Sequence, residues 1–239
     1  MRGAHIFSDT GFTDCMDFID ALKAFSENGP VFNPWRQTDR VNDIDCSGAS
    51  VRRRQLFQYL QERVGRATCL FVGEALGYQG GHFTGIPMTS ERILLGGHAP
   101  KGILPQHVFT GLEPRRTSRT EIKPAGFSEP TATIVWGHLI QAGFDTRRFI
   151  LWNAFPWHPF KPDAGPLSNR TPTQEELDMG GPILMDLIER TRPGIIIAVG
   201  EKAHAALNKL GVKAHKVRHP ANGGAAKFRR QVSRLSNTV

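Results

Sequence analysis

Cysteine is scarce in this chain. Cys15, Cys46 and Cys69 are the three among 239 residues, and no two of them form a Cys-x-x-Cys pair. An odd, scattered set argues against a disulfide framework and a thiolate metal site, and it suits a reducing, cytoplasmic compartment. No metal site and no cofactor is expected. A charged-then-apolar leader is also missing, so no signal peptide is expected. Long apolar runs are absent too. Stretches such as residues 195–199 fall far short of the roughly 20 residues a spanning helix needs, so no membrane association is expected. There is no internal repeat and no composition shift that reads as an interdomain linker, so residues 1–239 are expected to form one domain and a monomer. Acidic residues are outnumbered: 22 Asp and Glu stand against 30 Lys and Arg, a net charge of +8 and a pI near 9.8. That balance suits a polyanion, of which nucleic acid is the commonest, and it equally suits a basic enzyme with no such partner.

What is present is an alternation of apolar runs and amphipathic segments. Apolar residues Met16, Phe18, Ile19, Leu22 and Phe25 predict a helix over 13–27, stopped by Asn28-Gly29-Pro30. Residues 30–50 read as polar and turn-rich. A helix over 51–64 carries Leu56, Leu60 and Val64 on one stripe. Buried strands are expected over 67–72, 149–152, 194–199 and 212–217, with Cys69 as a small core residue. Helices are expected over 131–142, 174–190, 201–210 and 223–235. Residues 96–129 read as a long surface loop made basic by Arg115, Arg116, Arg119 and Lys123. Strands alternating with helices predict an α/β fold of three layers, α/β/α, with a central, mostly parallel sheet of about four strands.

Ligands of such sheets lie at the carboxyl ends of the strands, which directs attention to three loops. After the first strand comes Gly73-Glu74-Ala75-Leu76-Gly77-Tyr78-Gln79-Gly80-Gly81, then His82-Phe83-Thr84-Gly85-Ile86-Pro87-Met88. After Trp152 comes Asn153-Ala154-Phe155-Pro156-Trp157, followed by Asn169-Arg170-Thr171-Pro172-Thr173. After Val217 comes Arg218-His219-Pro220-Ala221-Asn222-Gly223-Gly224. Each has an ordinary reading as a strand-to-helix turn. A metal site on His215 and His219 is disfavoured, because four residues of strand span roughly 13 Å.

Together, and in this order, the three loops resemble the uracil-DNA glycosylase superfamily, most closely its family four, over about residues 71–227 of a motif-bearing core at about 67–235. The resemblance implies removal of uracil from single- or double-stranded DNA by hydrolysis of the N-glycosidic bond, leaving an abasic site. It implies that Asn153 reads the base: an amide offers a donor and an acceptor side by side, which matches O4 and N3–H of uracil and mismatches cytosine. It implies that His219 donates to uracil O2 as charge builds there. The first loop, with Gly73, Ala75, Gly77 and Tyr78, would wall the pocket and hold water, its glycines letting backbone approach the ligand. Lys216, Arg218, Asn222, Gly223 and Lys227 would contact DNA, with Arg229 and Arg230 either joining them or forming a solvated helix face.

The pattern also departs from its relatives. Ala75 stands where better-known members carry an Asp or Asn that orients water, leaving Glu74 and Gln79 as candidates, with Glu74 alternatively bracing the loop. Leu76 replaces a Pro, and Met88 stands where family four stacks a Phe on uracil, so Met88 and Phe83 are the candidates for the base face. Gly77 lacks the thymine-excluding Tyr of some members, which leaves Tyr78. Trp157 falls where one iron–sulfur cysteine would be, so no cluster is expected. Ala75 keeps open a lesion-binding protein with weak catalysis, and base specificity for hypoxanthine or xanthine stays open as well.

Overall fold

The computed structural model describes residues 9–26 and 29–235. In chain order the elements are α1 (Asp9–Ala24), β1 (Val31–Phe32), α2 (Gly48–Gln61), β2 (Cys69–Ala75), α3 (Gly81–Thr84), α4 (Glu91–Leu94), α5 (Pro105–Val108), α6 (Pro130–Gln141), β3 (Phe149–Phe155), β4 (His158–Pro159), α7 (Gln174–Thr191), β5 (Ile195–Val199), α8 (Glu201–Lys209), β6 (His215–Val217) and α9 (Ala225–Leu235). The central sheet has four strands in the order β3-β2-β5-β6, every neighbouring pair parallel. Helices α6, α7 and α8 are the crossovers that parallel pairing requires. The strand order reverses around β2: the chain leaves it for β3 on one side and returns to β5 on the other. Such a switch point opens a crevice at the carboxyl ends of the strands.

The strands are continuous apolar runs because both faces are covered. All seven residues of β3 are buried. Strand β3 is nevertheless a sheet edge, and an edge leaves backbone groups unpaired. Side chains of α2 and the turn after it satisfy them: the Leu151 N–H donates to the Tyr59 hydroxyl at 2.8 Å, and Arg63 Nε donates to the Phe149 carbonyl at 3.1 Å. Arg63 is fully buried. Its other nitrogens donate to the carbonyls of Tyr59, His107 and Thr146, and its guanidinium lies 3.9 Å from the Tyr59 ring. Burial lowers its pKa to about 10.

Several boundaries differ from the sequence expectation. Strand β2 runs to Ala75 and β3 to Phe155, three residues past the predicted ends, because Gly73↔Asn153 and Ala75↔Phe155 continue the parallel register. Gly73, Glu74, Ala75 and Asn153 therefore sit in strands, not in loops. The last strand shrinks to three residues, and α1 ends at Ala24; residues 27–28, part of the predicted helix and its stop, lie outside the described residues. Residues 30–50 are not merely turns: β1 pairs antiparallel with β4, and Asn33, Trp35, Asp39, Asn42 and Asp43 are buried. Residues 96–129 are not a plain surface loop either. Ile103, Val108, Phe109 and Phe127 enter the core, and Arg116 and Arg119 direct their guanidinium groups to backbone carbonyls of Ser118, Pro124 and Asp43. A polar sequence can still fold inward when its side chains supply the partners its backbone lacks.

Candidate active site

The crevice has a simple origin in register. Strand β5 stops pairing with β2 at Val72↔Ala198, whereas β3 continues alongside it to Ala75↔Phe155. Beyond Val72, β2 is unpaired on its β5 side. At this end Gly73 lies opposite Asn153, which is 2% exposed. A methyl on Gly73 would fall 2.6 Å from the Asn153 amide and 3.6 Å from Met88 Sδ, so the missing side chain is what admits the other two. In the amide orientation that satisfies its surroundings, Asn153 Nδ2 donates to the Trp152 carbonyl at 3.1 Å and Oδ1 accepts from the Leu76 N–H at 3.3 Å. One amide hydrogen and one oxygen lone pair remain for a ligand. Met88 has a left-handed backbone, φ 47°, a conformation that stores roughly 1–3 kcal/mol in a non-glycine residue. Trp136 holds it there by donating from Nε1 to the Met88 carbonyl at 3.2 Å and to Thr89 Oγ1 at 3.1 Å.

His219 follows β6 and is half-buried. The Ala221 N–H donates to His219 Nδ1 at 3.1 Å, which assigns the proton of the neutral ring to Nε2 and leaves that N–H as a directed donor. Burial lowers the pKa of His219, and the nearby Glu74 carboxylate opposes that. Gly200, φ 100°, lies beneath the ring; a Cβ there would be 3.1 Å from His219 Cβ. Glu74 is held across the gap beside β2 by Lys202, whose Nζ donates to Glu74 Oε1 at 3.1 Å and to Thr171 Oγ1 at 2.6 Å. The arrangement thus has an amide for a planar polar edge, a neutral imidazole N–H, and a carboxylate acting electrostatically on that imidazole.

The sequence matches the Uracil DNA glycosylase superfamily over residues 63–236. The chain belongs to this superfamily. Its members are DNA glycosylases, hydrolases whose substrate is DNA, and the match takes in all four strands of the central sheet. Among solved structures the fold is similar to that of SMUG2 from Pedobacter heparinus, with a TM-score of 0.59 over 95% of this chain and 97% of that one, at 14% identity. No curated protein matches the sequence.

The other sequence-predicted site residues of this superfamily member take several positions. Ala75 pairs with Phe155 and presents a methyl. Gly77 and Tyr78 lie against Asn169: its amide is 3.8 Å from where a Gly77 Cβ would stand, and its Oδ1 accepts from the Tyr78 N–H at 3.0 Å. Phe83 is fully buried and stacks on Phe127 at 4.4 Å, with Tyr78 edge-on to the same ring. Gln79 is half-buried and makes no side-chain hydrogen bond among the described residues, so nothing joins it to Asn153 or His219. Lys216 is exposed and ion-paired with Glu201 at 2.8 Å. Arg218, Asn222, Gly223 and Lys227 are exposed, as are Arg229 and Arg230. Asn222 and Gly223 both have left-handed φ. Two further residues of the crevice, Gly200 and Lys202, escaped the sequence reading. The strand-end rule that selected three loops applies equally to the run 194–199, and it points to Gly200.

Proposed function

We propose that this superfamily member is a monofunctional uracil-DNA glycosylase. The observation that carries the reading is Asn153, a buried amide with one free donor and one free acceptor, seated opposite a glycine at the open end of the sheet. A base flipped from the helix enters with its pairing edge toward Asn153, which donates to O4 and accepts from N3–H. Met88, beside Gly73, packs on the base face. The C1′–N1 bond breaks with its electron pair going to uracil, and negative charge grows on O2. His219 Nε2–H donates to that oxygen. A ring kept neutral by burial serves this purpose without first surrendering a proton. Water then adds its oxygen to C1′, and its proton leaves toward Glu74, the carboxylate held by Lys202 and acting electrostatically on His219. Lys202 orients Glu74. The exposed Arg218, Lys227, Arg229 and Arg230 face the phosphates, which position the protein without reading sequence.

The test uses oligonucleotides carrying uracil, hypoxanthine, xanthine or thymine, scored for abasic sites by alkaline cleavage. Uracil release by the wild type, abolished in Asn153→Ala with nonspecific duplex affinity unchanged, is expected. Equal loss of both would make Asn153 structural. Release of only purine bases would move the specificity elsewhere. Binding to an abasic site with no release of any base would make the protein a lesion binder, the reading that Ala75 keeps open.

A further inference from the structure

Behind the pocket wall lies a chain of buried polar groups. His82 and His158 are 0% exposed and Asp39 is 6% exposed. His82 Nε2 lies 3.1 Å from Asp39 Oδ2, His82 Nδ1 lies 2.9 Å from His158 Nδ1, and His158 Nε2 lies 2.8 Å from the Ser168 carbonyl. The protons can be counted. Both ends of the chain are acceptors, a carboxylate and a carbonyl, and three hydrogen bonds need three protons. Two neutral imidazoles supply only two. Asp39 is held as a carboxylate by other donors: Oδ1 accepts from the Val41 and Asn42 N–H groups, and Oδ2 from Asn42 Nδ2 at 2.8 Å. The third proton therefore belongs to the ring between a carboxylate and an imidazole nitrogen.

We infer that Asp39, His82 and His158 share one extra buried proton, carried by His82 as an imidazolium, and that this proton positions the turn walling the base pocket. His82 belongs to α3, the turn that follows the glycine loop and precedes Met88. His158 belongs to β4, just past the strand bearing Asn153. Asn169, next to Ser168, holds the Tyr78 backbone. The relay therefore fastens three chain segments around the pocket, and its residues act through others without touching the base. Burial lowers the pKa of His82 even with the Asp39 carboxylate beside it, and burial, with the neighbouring His82, lowers that of His158 to about 3. Groups so tightly joined titrate as a unit, and the hydrogen-bond count of the chain sets the protons that unit holds. The charged groups facing His82 are Asp39, Asp43 and Arg52, with the His158 ring beside them. Asp43 and Arg52 pair with each other at 2.8 Å, so Asp39 is the unbalanced charge. Phe32 stacks on the His82 ring at 4.1 Å, a face that favours a cation.

The inference rests on the glycosylase reading for its consequence but not for its main test. Ring nitrogens in the intact, full-length protein are read by long-range proton–nitrogen NMR, with His82→Gln and His158→Gln assigning the signals. The expected wild-type result is a His82 ring with both nitrogens protonated at neutral pH and one proton lost at alkaline pH. Two singly protonated rings beside an ionised Asp39 would overturn the proposal. In His158→Gln the amide can accept from His82 and donate to Ser168, so His82 stays doubly protonated; a singly protonated His82 there would count against the relay. Asp39→Asn supplies the third proton covalently, as an amide N–H donating to His82, so that two neutral rings suffice. Its His82 ring should be singly protonated. Uracil release by the wild type should fall about tenfold as the shared proton is lost, the scale of one buried hydrogen bond, and in Asp39→Asn that alkaline limb should vanish. A persistent limb in that variant would overturn the positioning role. A doubly protonated His82 in a protein that releases no base would sustain the relay and overturn the glycosylase reading instead.

Discussion

Gly73→Ala isolates the geometry on which base reading depends. Glycine here is not required by its φ, which is not left-handed, so the backbone tolerates alanine. In a strand, alanine is favoured over glycine by roughly 0.5–1 kcal/mol through lost chain entropy in the unfolded state. Against this, the new methyl would stand 2.6 Å from the Asn153 amide and 3.6 Å from Met88 Sδ. An ordinary contact is at least about 3.4 Å, so Asn153 must retreat by nearly an ångström. Overpacking of that kind costs about 1–3 kcal/mol, and the entropic gain offsets part of it. The net cost, from about zero to 2.5 kcal/mol, should lower the melting temperature by about 10 °C at most. The effect on chemistry should be larger, because a displacement of about 1 Å in a positioning group can cost about a hundredfold in rate. Single-turnover release of uracil, measured beside nonspecific duplex affinity and thermal melting, gives the comparison. Release within about threefold of wild type would mean that Asn153 need not sit against Gly73, and the proposed reading of the base edge would fall with it.

Three further outcomes are expected. His219→Ala should lower single-turnover release by about 10²–10³-fold, the scale for one donor aimed at developing charge, while DNA affinity holds; Gly200→Ala, which also strains a backbone at φ 100°, should reproduce part of this by crowding His219 Cβ, and normal rates in both would remove His219 from the site. Affinity for duplex DNA should fall with salt at a log–log slope near −0.9 per phosphate contacted; Arg218→Ala should flatten that slope more than Lys216→Ala, since Lys216 is already paired with Glu201, and a flat wild-type response would mean that no phosphate-tracking surface exists. Glu129 Oε2 is buried without a hydrogen-bond partner, and burial raises the carboxyl pKa from 4.5 to about 7. The folded state thus binds the proton more tightly than the unfolded chain. This contribution to stability is complete below pH 4.5 and is lost as pH rises through about 7. Glu129→Gln should raise the melting temperature at alkaline pH relative to wild type and change it little at pH 4; the same shift at both would refute the assignment.

Much of the candidate site is legible in the residues because strand cores and strand ends have local signatures. Leu70-Phe71-Val72 and Ile150-Leu151-Trp152 are apolar on both faces, and a polar Asn153 after such a run stands out. His219 is marked in the same way, by its place just past β6. The strands' true ends were less legible: Gly73-Glu74-Ala75 and Asn153-Ala154-Phe155 look like loop chemistry, yet paired register carries the sheet three residues into them.

By itself the sequence determined the α/β alternation, the order of the motifs and the residues that reach the sheet's open end, since each depends on neighbours in the chain. Only the tertiary structure decided that Gly73 faces Asn153, that Arg63 covers the open edge of β3, that Lys202 holds Glu74, and that Asp39 meets His82 across 43 residues and His82 meets His158 across 76. The physical reason is that a polar side chain is the same letter whether water or protein satisfies it. Its burial is settled by partners distant in sequence, and those partners are adjacent only after the chain has folded.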